Sequence, residues 1–163
     1  MSAEIIQQRM TGRLSGDFVV FLIGMRVNRW WKVHRWISVA AAMPRMIREL
    51  MQRPELGLLG AEAWFGRTTL MVQYWRSMDA LLEYAKNRDS AHLPAWRAFN
   101  KRVGTNGDVG IWHETYRVRA GDYESVYVNM APFGLGKVGE LVPAHAHPVE
   151  RLAATAPSAA RLA

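Results

Sequence analysis

The chain has 163 residues, 50% of them apolar or aromatic and 21% charged: one domain's worth of length, with enough hydrophobic mass for a core and too little charge for general disorder. It contains no cysteine, which excludes disulfides, a thiolate nucleophile, cysteine-based zinc sites and iron–sulfur clusters. Twenty-one Lys and Arg against 14 Asp and Glu give +7, and most of the excess lies between Arg26 and Arg53, where Arg26, Arg29, Lys32, Arg35, Arg45, Arg48 and Arg53 face one acid, Glu49. Such a stripe suits an anionic partner or a solvated helix face.

Residues 1–16 are polar and mixed in charge, an N-terminal arm without the basic and then apolar pattern of a secretory leader. The longest apolar run, Phe18 to Met25, is 8 residues, against the ~20 needed to span a bilayer as a helix. No membrane span and a cytoplasmic location are therefore expected. Asp17 to Val27 is β-branched and aromatic without a helical period and reads as the first strand. From His34 to Arg53, Trp36, Val39, Ala40, Met43, Ile47 and Leu50 recur at spacings of three and four, a helix that Pro44 should kink or restart.

Pro54-Glu-Leu-Gly57 ends that helix. Leu58 to Phe65 and Thr68 to Trp75 form a hairpin across Gly66-Arg67, with Gly66 supplying a positive φ. Ser77 caps a helix to Tyr84, and a second helical stretch runs from Ser90 to about Arg102 with Leu93, Trp96 and Phe99 spaced by three. A loop at Gly104 to Asp108 leads to a strand from Val109 to Val118, and Tyr123 to Met130 reads as a shorter added strand. Beyond Lys137 the composition turns to Ala, Pro, His and Val without a period, so residues 137–163 are expected to be a mobile tail.

The order strand, helix, strand, strand, helix, strand predicts an α+β, ferredoxin-like split βαβ sheet over residues 17–136, with helices on one face. The other face of such a sheet is commonly covered by a second copy, giving a two-sheet barrel, so a homodimer is expected.

No Walker loop, dinucleotide fingerprint, zincin pair or nucleophile elbow is present, and Gly134, Gly136 and Gly139 have no phosphate-binding spacing. No helix-turn-helix, RNP-type or zinc-finger pattern accompanies the basic stripe, so no nucleic-acid partner is expected. What stands out is seven Trp, with His34, His92 and His113 in the structured region. Aromatic walls with a few polar groups suit a planar or polyunsaturated apolar ligand, while core packing is the competing account. His92 precedes Trp96 by one helical turn, which sets an imidazole beside an indole. An imidazole of pKa near ~6.5 takes a proton from a phenol, enol or activated CH₂ at neutral pH. His113 alternates with Trp112 and shares a sheet face with Ile111 and Thr115; facing a cavity it is functional, facing a helix structural. His145 and His147 lack the partners of a metal site.

Four stretches carry a resemblance: Gly24-Met-Arg-Val-Asn-Arg-Trp-Trp-Lys-Val-His34, Val72-Gln-Tyr-Trp-Arg-Ser77, His92-Leu-Pro-Ala-Trp96 and Gly110-Ile-Trp-His-Glu-Thr-Tyr116. They resemble the dimeric α/β-barrel (antibiotic-biosynthesis-monooxygenase-like) superfamily, in the branch that includes the monooxygenase of the fumagillin pathway, with Trp75, Ser90 and His92 matching the superfamily's layout. The resemblance implies a homodimer with a pocket between sheet and helices in each subunit, and oxygenation of an apolar, electron-rich substrate of polyketide or polyene type by O₂ without flavin or metal. Side-chain chemistry then assigns His92 as base and Trp75 and Trp96 as walls, with Asn28 or His113 as hydrogen-bond partners of a substrate oxygen. Tyr74 and Trp112 complete the candidate substrate contacts. No cofactor is required on this reading. The alternatives are a haem protein with His92 as iron ligand and a non-catalytic ligand-binding module.

Overall fold

The structure, a computed structural model, describes residues 4–87, 97, 99–101 and 104–144. The chain divides into two compact units, one of residues 18–117 and one of residues 1–17 with 118–163.

In the larger unit, β2 (Phe18–Val27), β3 (Leu58–Trp64), β4 (Leu70–Trp75) and β5 (Val109–Val118) form a sheet ordered β3-β4-β2-β5. This is the ferredoxin-like order, in which the two central strands are the first and third of the motif. β2 and β4 run antiparallel with Val19 opposite Trp75 and Ile23 opposite Met71. On the face carrying Val19 and Trp75, those two residues pack with Leu50, Leu81 and Tyr84 into a buried cluster. Leu50 comes from α2 (Ala42–Gln52) and the other two from α3 (Met78–Lys86), so the helices cover this face. Ser77 starts α3 by accepting the Ala80 N–H at 3.1 Å, as its position predicts.

The first helical segment breaks at Ala41 instead of after Met43: α1 (Val33–Ala40) ends there and α2 begins at Ala42. Pro44 then lies in the first turn of α2, where its missing N–H has no intrahelical partner to lose. The β3–β4 connection is also wider than two residues. Trp64 pairs with Leu70, and Gly66 is not among the glycines of positive φ. The intervening segment bonds to the end of β2 instead, with Thr69 N–H donating to Met25 O at 2.8 Å and Val27 N–H to Arg67 O at 2.9 Å.

The smaller unit holds a three-stranded antiparallel sheet in the order β6-β1-β7, formed by β1 (Ile6–Arg13), β6 (Tyr127–Met130) and β7 (Glu140–Pro143). The polar start is thus a central strand, and residues 140–143 of the expected tail are its neighbour. The strand expected from Tyr123 begins at Tyr127 and pairs in this sheet. Between β6 and β7 lies a single turn, α4 (Leu135–Val138), close over β1: a Cβ on Gly12 would sit 2.8 Å from Gly136 N. Gly136 and Gly139 allow close packing here, a Cβ on Gly139 falling 2.2 Å from Arg13 O, and Gly134 supplies a positive φ.

Candidate active site

The helix-covered face of the four-stranded sheet is solid at the Trp75 end and hollow at the other. A cavity of about 720 Å³ lies there, within the range of small-molecule sites, roughly 300–1,000 Å³. Ile23 and Met25 of β2, Met71 of β4 and Ile111 of β5 line it from the sheet. The junction of α1 and α2, from Ser38 to Met46, lines it from the helices, with Phe99 contributing as well. The break at Ala41 falls within this lining, so the junction that ends α1 and starts α2 borders the cavity.

The lining is mostly apolar, and its polar side chains are few. Ser38 Oγ donates to Arg35 O at 3.4 Å, and Thr69 Oγ1 accepts the Met25 N–H at 2.9 Å, so both hydroxyls have backbone partners. Arg45 is the charged member. Met25, Met43, Met46 and Met71 give the walls unbranched, polarizable side chains that adapt to a ligand's shape. Trp64 and Phe65 edge the cavity from the β3–β4 connection, and Phe65 is 87% exposed.

None of the described residues expected at the site lines this cavity. Trp75 is 1% exposed in the core cluster, with Nε1 donating to Gln73 Oε1 at 2.9 Å and its ring 5.8 Å from that of Tyr84. Tyr74 points to the opposite sheet face, near Phe18 at 6.5 Å. Trp112 lies across Gly24, where a Cβ would come within 2.6 Å of its Nε1, a buried atom without a hydrogen-bond partner. Asn28 Nδ2 donates to Gly107 O at 3.1 Å and ties the end of β2 to the loop before β5. His113 is exposed, its ring 5.7 Å from that of Phe21 on the helix side of the sheet. His92 and Trp96 lie outside the described residues, as do Ser90, His145 and His147.

Two ionisable clusters flank the unit's core. Asp108, with its side chain 2% exposed, accepts from Lys32 Nζ at 3.1 Å and Arg29 Nη1 at 2.8 Å, with Arg35 Nε at 4.0 Å. The Lys32 hydrogen bond, helped by Arg29, outweighs desolvation and holds the carboxyl below the usual carboxylate range. Part of the basic stripe is thus an ion cluster anchoring the start of α1. Tyr84 donates to Glu49 Oε2 at 3.1 Å, and burial, then the Glu49 charge, push its phenol up.

Sequence reasoning missed Trp64, Phe65 and the methionines. The available signal was Trp64-Phe65 at a strand end, two large apolar side chains where the chain must turn toward water. For a haem, the described lining offers no histidine, cysteine or tyrosine, so these residues do not fit a haem iron, and that alternative rests on His92 alone. Among the described residues no group of three or more His, Asp or Glu is placed to hold a metal ion.

Residues 18–135 match the monooxygenase af470-like family. Monooxygenase af470 of Aspergillus fumigatus is 28% identical over 156 residues, covering 83% of this chain and 55% of its own length. The chain thus spans about half the length of this curated relative. Among solved structures, aldoxime dehydratase in complex with butyraldoxime superposes with a TM-score of 0.62 at 16% identity, over 84% of this chain and 43% of that one. A second aldoxime dehydratase structure gives 0.60 at 15% identity, over 83% and 44%. At these identities the likeness is one of fold.

Proposed function

Because the chain belongs to the monooxygenase af470-like family, we propose that it is a monooxygenase that holds an apolar, electron-rich small molecule in the cavity beneath α1 and α2 and oxidises it with O₂. The observation that carries this reading is the cavity itself: its elements all fall within the matched residues 18–135, and its walls suit a ligand with few polar groups. The substrate class is a polyketide- or polyene-type molecule with an acidic C–H or O–H. Once deprotonated, such a molecule reduces O₂ itself. The substrate loses two hydrogens in all, the attacked carbon gains one oxygen, and the second oxygen leaves as water with those hydrogens. All four electrons come from the substrate, and no external reductant enters the balance.

The step needs a base near neutrality. The described lining holds no histidine, carboxylate, lysine, tyrosine or cysteine, the side chains that ordinarily serve as general bases. His92, seven residues before Phe99 in the sequence, is the proposed base, with Trp96 as the adjacent wall. Pairing of two copies through the sheet face opposite the helices is proposed as the assembly, with sedimentation as its check.

The test is O₂ uptake by metal-stripped protein over a panel of phenols, enols and polyenes, with product oxygen traced by ¹⁸O₂. Turnover of at least one class is expected, with a fall of about a hundredfold or more in His92→Ala, the usual scale of general-base loss. No uptake across the panel contradicts the oxygenase, whereas uptake that is indifferent to His92→Ala contradicts the base.

A further inference from the structure

Trp30 and Trp31 occupy the connection between β2 and α1, 69% and 62% exposed, with their rings edge to face at 6.3 Å and 84°. Trp36 Nε1 donates to Trp30 O at 2.9 Å and fixes that connection. Val33 and Ile37 follow on α1 one helical turn apart, each 49% exposed, and α1 has no buried residue. Single exposed apolar side chains are ordinary, but two paired indoles followed within six residues by two exposed aliphatic side chains give a concentration of apolar surface of the kind that marks an interaction site. The same stretch carries Arg29, Lys32 and Arg35, all partly exposed. With the Asp108 carboxylate counted against them, the cluster keeps two net positive charges.

We propose that this surface docks on an anionic lipid bilayer, with Trp30 and Trp31 seated at the boundary of headgroups and acyl chains. Indole prefers that boundary because it joins a large apolar ring to one N–H donor. The cations beside the pair meet anionic headgroups, which an aqueous protein surface does not supply at such density. A second copy docking through the same patch would set two net positive charges against two, which disfavours a self-pairing interface. A single-stranded nucleic acid needs ring faces for base stacking. Bases stacked on the two indoles would leave Val33 and Ile37 without an apolar partner. On a bilayer all four side chains are used. The end of α1, from Ser38 to Ala40, lines the cavity, so the helix that touches the membrane also borders the space for an apolar ligand. The docking surface stands on exposure and charge, independently of the oxygenase reading.

The experiment is flotation of the full chain with phosphatidylcholine vesicles, with and without about 30% phosphatidylserine, for wild type and the double variant Trp30→Ser/Trp31→Ser. Two net charges predict about thirtyfold stronger partition onto the anionic vesicles, weakening as salt is raised. The double variant should lose about tenfold on those vesicles while keeping its far-ultraviolet circular dichroism, since both residues face water. Equal partition of wild type and variant overturns the proposal, as does indifference to phosphatidylserine. Binding to a single-stranded oligonucleotide or a change of oligomeric state that depends on Trp30 and Trp31, without vesicle binding, reassigns the surface and overturns it too.

Discussion

Asp108 shows how one side chain can change the reading of three others. Its carboxylate is nearly sealed from water and remains charged because Lys32 and Arg29 donate to it. A folded-state pKa below the unfolded value of ~3.9 stabilises the protein at every pH above that value, and the contribution is lost as pH falls through the folded pKa. Acidification from about pH 5 toward pH 2 should therefore lower the melting temperature of wild type. Asp108→Asn, which leaves three cations facing one another, should melt lower than wild type at pH 7 and show a shallower acid limb. Thermal unfolding across that range checks this, and coincident melting curves for the two proteins would contradict it. None of this was visible in the sequence, where Asp108 is one residue of a glycine-rich loop more than 70 positions from its partners. Trp75 was ambiguous for a different reason. A strand indole has the same appearance whether it walls a ligand or fills a core, and Gln73, two residues earlier on the same face, was the clue that its N–H has an internal partner.

At the scale of elements, β2, β5 and α3 were legible because their signals are local: a β-branched run, an alternation, a capping serine. β1 and β7 were not. Gln7, Gln8 and Arg9 make the start of β1 polar on both faces, and its status as a strand comes from pairing with β6 and β7, more than 100 residues away. The β3–β4 connection followed the same rule, since its conformation is set by bonds to β2 and not by Gly66. Close contact across the sheet also explains Gly24. A Cβ there would fall 2.0 Å from Thr69 O and 2.6 Å from Trp112 Nε1, so strand β2 has no room for a side chain at this position. Gly24→Ala should destabilise the protein by about 1–3 kcal/mol through overpacking, read from urea unfolding. A loss below about 0.5 kcal/mol would show that the strands yield without strain.

For the whole molecule, the alternation of strands and helices carried the ferredoxin-like order, and the order β3-β4-β2-β5 matches it. The division into two units was not readable, because the smaller one joins both ends of the chain. Nor was the cavity. Its lining comes from α1, α2 and all four strands of the larger unit, and is made mostly of Ala, Met and other apolar residues that carry no catalytic signature. The oxygenase reading depends on that space accepting an apolar molecule. The direct measurement is titration with cis-parinaric acid, a polyene whose fluorescence rises on leaving water, in wild type and in Ala63→Trp, which puts an indole at an exposed position of the lining. Saturable binding in wild type, weakened about tenfold or more in Ala63→Trp, is the predicted result. Identical titrations for the two proteins, or no saturable binding by either, would contradict the assignment of the cavity as the substrate site.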